Sequence, residues 1–223
     1  MPRRLLLVRS GSTLEHERGR LVGTSDPPLS ERGRAELEAL RHHWEWADYL
    51  CSSPARRARE SAAILAPGAR VQLEPAFGPM NLGRWQGLDA ESIRQSDPIA
   101  YADYEAGEPS APPPHGETHD ALRARIADGL VRLLARARIS PLVVSHAEVI
   151  REIAWRLAGA RLPAGRPAPA EMLLLTREAS GVFRMGRASS DPEPLRSPLE
   201  RGGLSDGDDP LPERHIGHLE LRL

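Results

Sequence analysis

The sequence predicts an α/β protein, a three-layer α/β/α sandwich around a mostly parallel central sheet. Three observations carry that expectation. Two continuous apolar runs, "RLLLV" at residues 4–8 and "PLVVS" at 141–145, have the unbroken hydrophobicity of strands covered on both faces. Segments with a helical apolar period alternate with the strand-like runs. Both apolar runs stop at short polar stretches, "RSG" and "SHA", and in such sheets ligands bind beyond the carboxyl ends of the strands.

The elements follow in order. "RLLLV" is the first strand, and the loop "RSGSTLEHERGRLVGTSDPPL" comes after it. "LSERGRAELEALRHHW" reads as a helix with Ser30 as N-cap and Gly33 in the first turn; Leu37, Ala39, Leu40 and Trp44 form its apolar face. "ADYLCS" is a second strand, "SPARRARESAAILA" a helix with Pro54 near its start, and "RVQLEP" a weaker third strand. From Gly87 to Glu117 the pattern gives short helical pieces, then a proline-rich loop, and a long insert of this kind often carries function. "ETHDALRARIADGLVRLLARAR" is the clearest helix, with Leu122, Ile126, Leu130, Leu133 and Leu134 on one face. "PLVVSH" is a buried strand, "AEVIREIAWRLAG" a helix ended by Gly159, and "EMLLLTRE" with "GVFRMGR" a closing hairpin. Residues 1–187 thus form one domain. Residues 188–212, rich in Pro, Gly, Ser and Asp, read as a flexible excursion, and 213–223 as a returning edge strand.

Composition narrows the function. The chain has 223 residues, 40% hydrophobic and 4% aromatic, enough for one domain or one and a half. Thirty basic residues against 31 acidic ones give a net charge of -1, which argues against a dedicated nucleic-acid partner. All thirty are arginine, a compositional habit rather than a functional signal. The single cysteine, Cys51, rules out an internal disulfide and reads as a small core residue. No signal peptide and no membrane-length apolar run is visible, so the expected location is the cytoplasm, away from membranes. His215 and His218 lack partners for a metal site, and no metal or cofactor is expected.

Three strand ends bring Arg9, Ser10, Ser52, Ser53 and His146 towards one place. The segments "LLLVRSGST", "GTSDPPLSERGRAELEAL", "CSSPARRARESAAIL", "NLGRWQGL", "PPPHGET" and "VVSHAEVIR" resemble, in order and spacing, the histidine phosphatase superfamily. That is the phosphoglycerate mutase-like fold, and the likeness is greatest to the small bacterial branch that includes the alpha-ribazole phosphatases. It covers roughly residues 4–187. The resemblance implies a phosphate pocket with Arg9, Arg57 and His146, and it places the family's phosphate-contacting Asn on His16. It also places the nucleophilic histidine on Ser10 and the general acid on Pro79, while Gln86 stands where "WEG" has Glu. A laboratory exchange at position 10 alone would explain Ser10 but not Pro79 or Gln86.

Those assignments split binding from chemistry. Two guanidinium forks suit phosphate oxygens, and a protonated His146 would add charge and a donor. A serine hydroxyl is a weak nucleophile until a base activates it, and proline can neither give nor take a proton. The expected protein therefore binds a phosphorylated small molecule or phosphate-like anion, as a pseudophosphatase or a very weak phosphatase. Two alternatives stay open. One is an active phosphomonoesterase with a rearranged site, using His16 or His146 as nucleophile and Glu148 or Glu117 as relocated acid. The other is a partner-binding module with a relic pocket. Glu148 also fits as a first-turn carboxylate of the following helix, and Glu117 as the start of another. The resemblance further implies a possible homodimer.

Overall fold

The computed structural model describes residues 2–41, 47–106, 112–137, 139–159, 162 and 166–187. β1 (Arg4–Arg9) lies inside a six-stranded sheet of order β3-β2-β4-β1-β5-β6, made with β2 (Tyr49–Ser52), β3 (Val71–Leu73), β4 (Pro141–Ser145), β5 (Met172–Arg177) and β6 (Phe183–Arg187). β1 to β4 are mutually parallel where they pair, with Leu6 beside Leu142 and Arg9 beside Ser145. β5 and β6 join antiparallel as the closing hairpin, so the sheet is mixed with a parallel heart.

The unbroken apolar runs are explained by burial on both faces. Alternate residues Leu5, Leu7, Cys51, Val143, Leu173 and Leu175 enter one core, and Leu6, Val8, Leu50, Leu142, Val144 and Met172 enter the other. The second core is closed by α2 (Glu31–Ala39) through Leu37 and by α3 (Arg56–Leu65) through Ala58, Ala62 and Leu65. The first is closed by α5 (Pro98–Ala106), α6 (His119–Arg136) and α7 (Ala147–Ala158). Ser30 caps α2 through the Gly33 amide, and Thr118 caps α6 through the Ala121 amide. Gly159 ends α7 in the left-handed conformation at φ 62°.

Several expectations are corrected. The loop after β1 contains a one-turn helix, α1 (Leu14–Glu17), too short to show a period. Ala39 is exposed and Leu134 only half-buried, because each lies at the rim of its helix's apolar face. The long insert holds α4 (Ala90–Ser96) and α5, whose Tyr101 and Tyr104 pack edge-on against Trp85. Trp44, the segments 188–212 and 213–223, His215 and His218 lie outside the described residues. Among the described residues no helix is long and apolar enough to cross a membrane. No group of three or more His, Cys, Asp or Glu side chains there is placed to hold a metal.

Candidate functional site

A cavity of about 90 Å³ opens at the carboxyl ends of β1 and β4, with the N-terminus of α3 on one side. Arg9, Ser10, His16, Arg57, His146 and Glu148 all line it. So do Pro79, Tyr104 and Arg166.

Small residues make the turn after β1 possible. A Cβ on Gly11 would sit 2.7 Å from the Gly33 carbonyl oxygen, and a Cβ on Gly33 only 2.3 Å from that of Ser12. The turn therefore lies directly on the first turn of α2. The Ser10 amide donates to the Ser145 carbonyl at 2.9 Å, which ties the two strand ends together.

Arg9 donates through Nη1 to the Pro167 carbonyl at 2.6 Å, and its Nη2 lies 3.5 Å from His16 Nε2. Burial lowers its pKa, with Glu148 opposing. Arg57, near the start of α3, is buried and donates to the carbonyls of Ser25 and Gly23 at 2.9 Å each. Its Nε has no hydrogen-bond partner among the described residues. Burial draws Arg57 down to about 10, so both guanidinium groups stay cationic at neutral pH. Gln86 accepts from the Thr24 amide and hydroxyl at 2.6 Å each and so steadies the loop that anchors Arg57.

The His16 ring is oriented by its own helix cap. The Thr13 amide points at Nδ1 from 3.3 Å. The Thr13 amide at Nδ1 and the Arg9 Nη2 at Nε2 can both only donate, and a neutral imidazole has one lone pair for the two of them. One of these two donors is thus left in need of an acceptor. Burial, then Arg9 and Arg57, pushes His16 down to about 3. His146, the N-cap residue of α7, contacts Ser53 Oγ through Nε2 at 2.8 Å. Burial and then Arg57 and Arg9 hold it well below the ordinary histidine value. The ring is therefore neutral near pH 7, and the charge that a protonated His146 would add is absent.

Glu148 stands in the first turn of α7 and also lines the cavity. Burial works to raise its pKa, but Arg166, its own amide, Arg9 and Arg151 outweigh burial and take it down to about 2. The Tyr104 hydroxyl donates to Glu148 Oε1 at 2.8 Å, and Arg166 Nε lies 3.9 Å from the same oxygen. Arg166 stacks 3.7 Å above the Tyr104 ring and donates to its carbonyl at 3.2 Å.

Glu117 is not in the cavity. It pairs with Arg125 at 2.6 and 3.0 Å and accepts the Asn81 amide at 3.3 Å. The reading of Glu117 as a relocated acid is thereby corrected: its carboxylate is committed to holding the 76–81 segment. Arg125 also donates to the Pro79 carbonyl at 3.2 Å. Ser52 turns its hydroxyl to the Ser53 carbonyl, and neither serine lines the cavity. Cys51 is a core residue whose thiol burial pushes up to about 12. Tyr104 and Arg166 are the site residues that the sequence reading missed. The i, i+3 pair Tyr101 and Tyr104 was a faint signal for the first, and the proline-rich setting of Arg166 gave none for the second.

The mixed sheet, its helical layers and the strand-end cavity define an α/β protein of the phosphoglycerate mutase-like fold. The chain belongs to the histidine phosphatase superfamily (branch 1), which residues 5–179 match. It is 30% identical over 160 residues to the adenosylcobalamin/alpha-ribazole phosphatase of Salmonella typhimurium, covering 69% of this chain and 79% of that one. It is 31% identical over 181 residues to the probable phosphoglycerate mutase of Photorhabdus laumondii, covering 78% and 80%. Among solved structures it resembles a mycobacterial glucosyl-3-phosphoglycerate phosphatase complexed with VO3, at TM-score 0.72 and 25% identity over 83% of this chain and 98% of that one. The alpha-ribazole phosphatase of Shigella flexneri shares the fold at TM-score 0.70 and 24% identity, over 84% and 96%.

Proposed function

We propose that the protein holds a phosphate-bearing small molecule, or a phosphate-like anion, between Arg9, Arg57, His16 and His146, and does not turn it over by the phosphohistidine route. One observation carries the reading: cationic donors converge on the cavity, while the groups there that could do chemistry are in the wrong state for it. Arg9 and the Thr13 amide share the single lone pair of the neutral His16 ring, and Arg57 adds an unpartnered Nε. An oxyanion supplies acceptors to both guanidinium groups.

The chemical groups point the other way. Ser10 and Pro79 both face the cavity in the positions that the family resemblance gives to nucleophile and acid. Glu148 is held ionised at about 2, so it has no proton to give a leaving group near neutral pH. His16 has its one lone pair engaged by a donor, the Thr13 amide at Nδ1 or Arg9 at Nε2, and so does not present a free nitrogen to phosphorus. The relatives are called phosphatases and a mutase, which makes phosphomonoesters the natural ligand class. Calorimetric titration with inorganic phosphate tests the reading, with Arg57→Ala as control and p-nitrophenyl phosphate as a turnover probe. Binding that falls at least about tenfold in the variant, without turnover, is expected. Absence of binding, or equal binding in the variant, refutes the pocket, and turnover that survives Ser10→Ala refutes the inactive reading.

A further inference from the structure

Glu148 is the one acidic side chain on the cavity wall among the described residues. A wall built only to attract anions would do better without a buried negative charge, since like charges inside a protein repel strongly. Yet the carboxylate is deliberately fixed. Tyr104 donates to it at 2.8 Å and Arg166 stands 3.9 Å away. Arg166 is itself pinned on the Tyr104 ring and on the Tyr104 carbonyl. The group can neither swing aside without breaking those contacts nor take up a proton near neutral pH.

The charges on the wall can be counted. Arg9, Arg57 and Arg166 stand against Glu148, and with both imidazoles neutral the net charge is three minus one, or +2. That complements the dianion of one phosphate monoester. Arg166 makes the ion pair with Glu148, whose charge is also felt at Arg9, so Arg9 and Arg57 are the cations left to face the phosphate. In so small a cavity, the first atoms of the ligand beyond phosphorus are held close to the wall. A hydroxyl there can donate to a carboxylate, whereas a second acid group adds a charge that Glu148 repels.

We propose that Glu148 is a specificity-determining residue that restricts the pocket to phosphomonoesters with an uncharged, hydroxylated organic part and excludes those carrying a carboxylate. This rests on the reading of the pocket as a phosphate site. Glycerol 3-phosphate and 3-phosphoglycerate make the test, because they differ by a hydroxymethyl against a carboxylate at one carbon. Both are titrated calorimetrically, beside inorganic phosphate, into the wild-type protein and Glu148→Gln. The glutamine keeps the side-chain shape and an acceptor for Tyr104. The wild type is expected to prefer glycerol 3-phosphate by at least about tenfold. Glu148→Gln is expected to lose that preference or reverse it. Glu148→Ser, well suited to a first helical turn, takes its place if the glutamine variant does not fold. Equal binding of the two esters by the wild type overturns the proposal, as does a preference that survives loss of the carboxylate. If the wild type binds inorganic phosphate and only the preference fails, the phosphate pocket stands and Glu148 is no selector. If inorganic phosphate does not bind at all, both readings fall.

Discussion

Mild acid should destabilise this protein before its carboxylates begin to titrate, because three histidines are folded into it as neutral rings. Burial is the largest cause at each, and cations add to it: Arg9 and Arg57 at His16, Arg151 and Arg123 at His119, Arg57 and Arg9 at His146. Their folded pKa values lie below the unfolded value of about 6.5, so below that pH the unfolded chain binds more protons. Stability is then fully present above pH 6.5 and declines as the pH falls. His16 titrates at about 3 in the folded protein. Going from pH 7.5 to 5.5 therefore removes about 1.4 kcal/mol through this ring, one unit below the unfolded value. His16 is partly exposed, so screening trims its share, and the buried His146 acts in the same direction. His119 adds to the loss in the same sense. The lowered carboxylates Glu60, Glu74 and Glu148 lose their contribution only below about pH 4.5, outside this window. Urea unfolding at pH 7.5 and 5.5 measures the loss directly. His146→Gln removes one of the rings, so its loss between the two pH values should be smaller than that of the wild type. Equal losses in wild type and variant would refute the assignment of a neutral buried ring at this position.

Two further outcomes follow from the packing around the site. Gly33→Ala should destabilise by about 1–3 kcal/mol, because its Cβ meets the Ser12 backbone rather than a movable side chain; thermal unfolding checks this, and an unchanged midpoint counts against the close approach. Tyr104→Phe takes one hydrogen bond from a buried carboxylate and should lower stability by about 1.5–3 kcal/mol at pH 7. In Glu148→Gln the same exchange should matter less, since the acceptor is then neutral, and a double-mutant cycle in urea shows whether the two residues are coupled.

What the sequence makes legible here is what is local. β1 and β4 announce themselves because both faces are buried, so no polar residue interrupts them. α6 shows because Leu122, Ile126, Leu130 and Leu133 recur with the helical period and are buried together. Arg9, Ser10 and His146 follow from the strand ends, for a strand's register fixes where its last side chain emerges. α1 escapes because four residues cannot display a period, although Thr13 and His16 have the spacing of a cap and its partner. The Glu148 environment escapes for a different reason. Its partners Tyr104 and Arg166 come from segments 62 residues apart, and only the packing of α5 against Trp85 brings Tyr104 to the cavity. Protonation states are equally hidden. His146 looked like a source of positive charge until its burial between two arginines was visible.

The way the arginines are held bears on what the cavity is for. A guanidinium that serves the fold alone is usually matched by a carboxylate, as half-buried Arg125 is by Glu117 and Arg156 by Glu152. Arg9 and Arg57 are anchored instead on backbone carbonyls of Pro167, Ser25 and Gly23. Carbonyls orient a guanidinium without neutralising it, so the positive charge survives in a place where burial works against it. Both imidazoles give up their protons under that pressure rather than share in it. An arrangement of this kind is poorly suited to stability and well suited to a dianion, whose arrival supplies the missing counter-charge to groups that need no reorientation. Glu148 fits the same logic: its ion pair is with Arg166, and it reaches Arg9 and Arg57 only as a nearby charge.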